Sequence, residues 1–97
     1  MLIYVSHKYG GDEKNLLRAK TITHDLAVND SENTYICPLC AFSFLSYKEI
    51  GYDEEMEMCI DLLSVCDKLI VASEISESVR QEIEAAKLFR MEVEYLD

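Results

Sequence analysis

Short apolar segments alternate with longer segments of helical periodicity along the chain, and this alternation constrains the fold more than any other feature. The apolar segments, which are typical of buried strands, are residues 2–5, 34–37, 68–72 and 91–96. Between them, apolar residues recur at helical spacing in stretches that begin near Asp12, Asp53 and Ser76. Such an order predicts parallel strands that are joined by right-handed crossovers, with helices on both faces of the sheet.

The pattern therefore predicts an α/β fold, namely a small flavodoxin/Rossmann-like three-layer sandwich with a four-stranded parallel sheet. The 97 residues suffice for one such unit, and we expect residues 1–97 to form a single domain. Ligands of these sheets bind beyond the carboxyl ends of the strands, near the point where the strand order reverses. We expect residues 6–12, the loop that begins at Pro38 and residues 73–82 to meet there.

Charge and composition argue against several classes of partner. The formal net charge of -10 disfavours nucleic acid, because binding to phosphates depends on Lys and Arg. No apolar stretch approaches the roughly 20 residues of a membrane helix, and the first residues do not resemble a signal peptide. We therefore expect a cytoplasmic protein with no membrane partner. No G-x-G-x-x-G or P-loop motif occurs, so no dinucleotide cofactor is expected.

Cys37-Pro38-Leu39-Cys40 has the spacing of half a zinc site or of a redox motif. A zinc site would need two further ligands, and Cys59 and Cys66 would have to converge on this loop. Redox motifs of this spacing normally open a helix directly after a strand, whereas we expect an apolar loop over residues 39–51. The favoured interpretation is that the cysteines are small buried hydrophobic residues, with no metal bound.

One carboxylate lies on an apolar helical face. The apolar stripe of the last helical segment comprises Val79, Ile83, Ala86 and Phe89. Glu82 falls within this stripe, one turn after Val79. Burying a carboxylate costs free energy unless another group pairs with it or the protein uses it. Glu82 is therefore the leading candidate for a functional residue.

The start of this helix sets the environment of Glu82. Ser78-x-x-Gln81 fits a capping box, which predicts a helix that starts near Val79 with Glu82 in its first turns. The helix dipole favours an ionised carboxylate there, while burial opposes ionisation. Such a carboxylate could act as a nucleophile. The alternative is that Glu82 merely forms a pair with Arg80 or with a residue of the first loop.

The loop after the first strand supplies polar groups for the same place. Ser6 and Tyr9, with the backbone of the Gly10-Gly11 pair, could line a small polar pocket. His7 is a candidate acid/base or base-recognition group, although a lone histidine in a loop is more often exposed to solvent. An anionic ligand would need a locally positive group. The cationic candidates are Lys8, Arg18 and Arg80.

Several blocks of the chain carry a resemblance to a known group. They are Ile3-Tyr4-Val5-Ser6 with the polar loop after it, Asn15-x-x-Arg18-Ala19, Ile36-Cys37-Pro38 with its aromatic loop, the run from Ile60 to Val71, and Ser76-x-Ser78-Val79-x-x-Glu82-x-x-x-Ala86. With these blocks the chain resembles the nucleoside 2-deoxyribosyltransferase-like superfamily, and most of all its short bacterial and phage branch. The resemblance covers nearly the whole chain, and its most specific part is Cys66-Asp67 together with the Ser76 block.

The resemblance implies a reaction and a set of roles. Glu82 would attack the anomeric carbon of a deoxynucleoside or its monophosphate, and the covalent sugar ester would pass to another base or to water. Ser76 would bind a 5'-hydroxyl or phosphate, while Tyr9 and Ser6 would line the sugar site. A nucleoside or nucleotide ligand is implied, and no cofactor. The further candidates for substrate binding are His7, Arg18, Pro38 and Ser78.

The chain departs from the pattern of the superfamily at a few positions. Cys59 aligns with an aspartate that many members carry on the second helix, and Ser78 stands where many have glycine. Glu55 lies one turn before Cys59 and is the candidate to supply the missing acid, whereas Asp61 projects from the opposite face. Asp67 is a second candidate for a supporting acid, or else it caps the entry to its strand.

Three functions remain open on the sequence. The first is an N-glycosidase or deoxyribosyltransferase with Glu82 as the nucleophile. The second is a non-catalytic domain that binds a nucleotide in the same pocket. The third is a small interaction protein that self-associates through the loop with Phe42, Phe44 and Tyr47. These apolar loop residues favour a homodimer or a higher homo-oligomer in any of the three cases.

Overall fold

The computed structural model describes residues 1–96, so that Asp97, the last residue of the predicted domain, lies outside the described residues. The elements are β1 (Leu2–Ser6), α1 (Glu13–Asn29), β2 (Thr34–Ile36), α2 (Pro38–Ala41), α3 (Tyr52–Ser64), β3 (Lys68–Val71), α4 (Glu77–Leu88) and β4 (Glu92–Tyr95). All four predicted strands are present, and each of their bounds differs by at most one residue from the prediction. None of the helices within residues 1–96 is long and apolar enough to cross a membrane.

The strands form one sheet in the order β2-β1-β3-β4, and every neighbouring pair is parallel. This arrangement confirms the predicted α/β fold with a four-stranded parallel sheet. Tyr4 lies in register with Ile36 on one side and with Leu69 on the other, and Ser6 lies beside Val71. The chain moves outward from β1 in both directions, so the strand order reverses between the two central strands, β1 and β3.

Helices cover both faces of the sheet. On one face, α1 packs on β1 and β2, and the core there contains Val5, Ala19 and Cys37. On the other face, α3 and α4 pack against each other and against β3. The core on that side contains Tyr4, Leu63, Leu69, Val71, Val79 and Ile83. Since successive side chains of a strand point to opposite faces, β1 directs Tyr4 and Ser6 toward α4.

Helix α4 starts two residues earlier than the sequence predicts. Ser76 is its N-cap, with an extended backbone (φ -87°, ψ 177°) and a side chain that accepts the backbone N–H of Val79 at 3.3 Å. The predicted capping box at Ser78 is therefore wrong, because the earlier serine satisfies the third N–H of the helix. As a consequence Glu82 lies in the second turn of α4, beyond the first turn where the helix dipole acts most strongly. Phe89, predicted to continue the apolar stripe, ends the helix and is 45% exposed.

The segment after β2 also differs from the prediction. It forms the short helix α2 instead of continuing as a loop, with Cys37 as the N-cap and Pro38 at the first helical position. Proline suits that position because its φ angle is already helical and no N–H is needed there. The two cysteines thus open a helix directly after a strand, contrary to expectation. Burial nevertheless raises the pKa of Cys37 to about 12, so its thiol keeps its proton at neutral pH.

Candidate functional site

Glu82 reaches across from α4 to two side chains of β1. The hydroxyl of Tyr4 donates a hydrogen bond to Oε2 of Glu82, and the hydroxyl of Ser6 donates one to Oε1 over 2.7 Å. All three side chains are buried, and Glu82 is only 4% exposed. We refer to Glu82, Tyr4 and Ser6 as the carboxylate cluster. Its two donors are neutral hydroxyl groups, so the charge of an ionised Glu82 is not cancelled by a cation within the cluster.

The pKa of Glu82 reflects two opposing effects. Burial raises the pKa to about 7, because an ionised group is poorly solvated there, while the hydrogen bonds from Tyr4 and Ser6 lower it in part. The pKa of Tyr4 is raised well above its usual value by burial and by the neighbouring Glu82, so the phenol remains a proton donor. The pKa of Glu82 thus lies near neutral pH, where a carboxyl group can gain or lose a proton during catalysis.

Cys59 on α3 completes the surroundings of the carboxylate cluster. Burial and the charge of Glu82 raise the pKa of the Cys59 thiol to about 12. A thiol with this pKa holds its proton too firmly to serve as an acid near pH 7. Cys59 therefore cannot replace the aspartate that the resemblance implies at its position.

Two adjoining cavities open beside the carboxylate cluster, at the carboxyl ends of the strands. The inner cavity, of about 80 Å³, is bordered by Glu82, and the outer cavity has a volume of about 260 Å³. The residues that line both are Tyr9, Pro38, Leu39, Tyr47, Glu55 and Cys59. The carboxyl end of β1, beside the reversal of strand order, leads into this region. This is the predicted place for a ligand in a sheet of this kind.

Most of the predicted site residues meet at these cavities. The predicted residues that line the inner cavity with Glu82 are His7, Tyr9, Pro38, Glu55 and Ser78. His7 is 5% exposed, so the interpretation of an exposed loop histidine is wrong. Its Nδ1 atom lies 2.7 Å from the carbonyl oxygen of Lys8. Glu55 and Glu82 thus line the same cavity.

Ser76 lies at the mouth of the site rather than inside it. With Ser78, Lys8 and Tyr52 it lines an open depression beside the first loop. The Ser76 hydroxyl already caps α4, so it is engaged by the backbone before any ligand binds. Lys8 supplies a positive charge at this mouth, where it pairs with Glu74 at 2.8 Å.

Two predicted residues, Asp67 and Arg18, line neither of the two cavities. Asp67 lies at the amino end of β3, where its carboxylate accepts the backbone N–H of Leu2 at 2.7 Å and its own N–H donates to the Leu2 carbonyl at 2.7 Å. The prediction of Asp67 as a catalytic acid is therefore wrong, and its role is to join the entries of two strands. Arg18 is exposed on α1 and lines a separate depression. Together with Lys8, which pairs with Glu74 at the mouth of the site, its charge lowers the pKa of Glu74, so its role in substrate binding stays a prediction.

Arg80 does not pair with Glu82 either. Its guanidinium forms ion pairs with Glu77 and Glu84 on the exposed side of α4. The alternative in which Glu82 is neutralised by Arg80 is therefore wrong. The other alternative is a partner in the first loop. Within residues 1–96, the partner of Glu82 nearest to that loop is Ser6, the last residue of β1.

The residue that sequence reasoning missed is Tyr4. Tyr4 lies in an apolar segment that predicts a buried strand, and this pattern identifies it as a core residue without regard to its hydroxyl group. Two signals were available: Tyr4 and Ser6 are two residues apart and so share one face of the strand, and a buried tyrosine hydroxyl usually has a hydrogen-bond partner. Glu13, which lines the outer cavity, was also missed.

The chain belongs to the family described as a domain of unknown function (DUF7768), whose family model matches residues 1–96. Comparison with curated proteins and with solved structures gives no match. The chemistry of the carboxylate cluster and its cavities is therefore the basis for assigning a function.

Proposed function

We propose that this domain is an N-glycosidase or deoxyribosyltransferase that acts on a deoxynucleoside or its monophosphate, with Glu82 as the nucleophile. The observation that carries the proposal is a buried carboxylate held by two hydroxyl donors at the wall of a cavity. Cleavage of a glycosidic bond passes through a transition state with positive charge on the sugar. A carboxylate whose charge is not cancelled by a cation stabilises that charge, particularly where water is excluded.

The first step breaks the bond between sugar and base. An oxygen of Glu82 attacks the anomeric carbon and forms an ester with it. The bonding electron pair of the glycosidic bond leaves with the base nitrogen, which takes a proton from the carboxyl group of Glu55. Glu55 suits this role because it lines both cavities, between the carboxylate cluster and the outer cavity where a base could lie.

The second step releases the sugar. Water attacks the anomeric carbon of the ester and transfers a proton to the carboxylate of Glu55, so that the bond to Glu82 breaks and Glu82 leaves as a carboxylate. If an N–H nitrogen of another base attacks instead, it gives its proton to Glu55, the bond to Glu82 breaks in the same way, and the product is a new nucleoside. The hydroxyls of Tyr4 and Ser6 support both steps, since their hydrogen bonds orient the carboxylate and stabilise it when it is ionised.

The test is the release of free base from the four common deoxynucleosides and their 5'-monophosphates, followed by chromatography. We expect release by the native protein and a loss of at least roughly a thousandfold in Glu82→Gln, as for other enzymes that lose their nucleophile. The matched control is Glu84→Gln, which removes the same charge from the exposed side of the same helix. Release that survives in Glu82→Gln would contradict the proposal.

A non-catalytic nucleotide-binding domain is the second candidate, and Cys59 is the observation that favours it. With a thiol of pKa about 12 at the position of the expected acid, binding could persist where catalysis does not. Tight binding of a deoxynucleotide without release of base, and with the same affinity in Glu82→Gln, would establish this candidate in place of the enzyme.

We also propose that the protein self-associates through its aromatic loop. Phe44 is 74% exposed and packs edge-on against Phe42, with ring centroids 6.4 Å apart, and Tyr47 on the same loop is 48% exposed. Large exposed apolar groups on a small domain favour an interface. Sedimentation of the native protein and of Phe44→Ser tests this, because a dimer that uses this loop should dissociate in the variant.

A further inference from the structure

The outer cavity has a composition that suits a flat aromatic group. Its apolar and aromatic walls are formed by Leu16, Leu39, Phe42, Leu45, Tyr47 and Ile50. Aromatic walls of this kind can stack on a planar ring. Within residues 1–96, the acidic residues that line this cavity are Glu13 and Glu55, and no Lys, Arg or His lines it.

Glu13 lines this cavity from the first turn of α1 and is itself exposed. It lines the outer cavity but not the inner one, so it lies away from Glu82. It is the first residue of α1, whose start is fixed by the side chain of Asp12, which accepts the N–H of Lys14 at 2.9 Å. The hydroxyl of Tyr9 donates to Oε1 of Glu13 over 3.0 Å. This hydrogen bond orients the carboxylate and engages Oε1 alone, so that Oε2 takes no part in the contact with Tyr9.

We propose that the outer cavity holds the nucleobase and that Glu13 selects bases with adjacent N–H donors, guanine above all. The inference rests on the proposed function and names the substrate class of that site. An ionised carboxylate only accepts hydrogen bonds. Guanine offers the N1–H and the 2-amino group side by side, which match a carboxylate. Thymine offers one N–H between two carbonyl oxygens, which a carboxylate repels, and adenine and cytosine each offer an amino group beside an acceptor.

The test compares deoxyguanosine with deoxyinosine, which differ only in the 2-amino group. We expect kcat/KM for base release to favour deoxyguanosine by roughly ten- to a hundredfold, as for one hydrogen bond to a charged acceptor. In Glu13→Gln the preference should shrink to within about threefold, because the amide both donates and accepts. The matched control is Glu57→Gln, an exposed position on α3 that should retain the native preference.

Binding measurements separate this inference from the proposed function. Calorimetry with the Glu82→Gln protein gives the dissociation constants of both nucleosides without turnover. If base is never released but deoxyguanosine binds at least about tenfold more tightly than deoxyinosine, and Glu13→Gln removes that difference, the proposed reaction fails and the role of Glu13 stands. Equal rates and equal affinities for the two nucleosides, or a preference that persists in Glu13→Gln, overturn the inference alone. If neither nucleoside is hydrolysed or bound, both proposals fall.

Discussion

Two carboxylates hold β1 at its opposite ends, and they do so in opposite ways. At the amino end Asp67 is exposed and binds the backbone N–H of Leu2. At the carboxyl end Glu82 is buried and binds only side chains, those of Tyr4 and Ser6. The first arrangement joins two strands at little cost, because water still solvates the charge. The second removes a carboxylate from most of its contact with water, which costs stability and is typical of functional sites.

The largest expected effect on stability concerns Glu82. The folded protein raises its pKa from the ordinary 4.5 to about 7, so between these pH values the folded state binds more protons than the unfolded state. The free energy of unfolding should therefore fall as pH rises through this window, by roughly 3 kcal/mol from this one group. Urea denaturation at pH 5 and at pH 8 measures the change.

Glu82→Gln isolates this contribution, because the amide keeps the shape and does not titrate. We expect the variant to lose much of the decline in stability between pH 5 and pH 8 and to be more stable than the native protein at pH 8. The same comparison with Asp67→Asn should leave the decline in place. Equal pH dependence in the native protein and in Glu82→Gln would show that burial of Glu82 costs little, and would remove the contrast between the two ends of β1.

An intermediate effect is expected from Tyr4→Phe, which removes one donor from Glu82. Without this hydrogen bond the ionised form is less stable, so the pKa of Glu82 should rise further. The rise of the rate with pH should shift upward by about one unit, and the rate of base release at pH 7 should therefore fall about fivefold. The control is Tyr35→Phe on β2, whose hydroxyl donates to Asp30 away from the cavities. An unchanged profile in Tyr4→Phe would mean that Tyr4 has no influence on the carboxylate.

The smallest effect is expected from Asp67→Ala. The substitution removes the acceptor for the N–H of Leu2 at an exposed place, and should lower the free energy of unfolding by about 1 kcal/mol or less. Base release should stay within about twofold of the native rate, since Asp67 lies at the far end of the strands. A large loss of activity with normal stability would show that Asp67 takes part in the reaction, and would contradict the difference in role between Asp67 and Glu82.

The fold was predictable because each strand and helix leaves its own local pattern. The four apolar segments and the helical stripes between them imply a parallel sheet covered on both faces, and the sheet has that form. The stripe on the last helix also predicted the burial of Glu82, which is 4% exposed. The prediction of Asp67 as a catalytic acid could have been avoided from the sequence. A residue that directly precedes a parallel strand lies at its amino end, whereas ligands bind at the carboxyl ends.

The partners of Glu82 were not predictable in the same way. Tyr4 and Ser6 are 78 and 76 residues away from it, and their contact depends on how the strands pair and on where α4 crosses the sheet. The helix start was ambiguous for a local reason, because Ser76 and Ser78 are both good caps and only the backbone conformation selects between them. The cavities depend on α2, which the sequence did not predict to be helical.

The central claim is that Glu82 forms a covalent bond with the sugar, and mass spectrometry of the intact chain tests it most directly. The native protein is mixed with a deoxynucleoside that it hydrolyses, quenched in acid during turnover and weighed, and the modified peptide is then sequenced. We predict a mass gain of one deoxyribosyl group, located on Glu82 and absent from Glu82→Gln. Release of base with no such adduct, or with an adduct on a different residue, would contradict the claim.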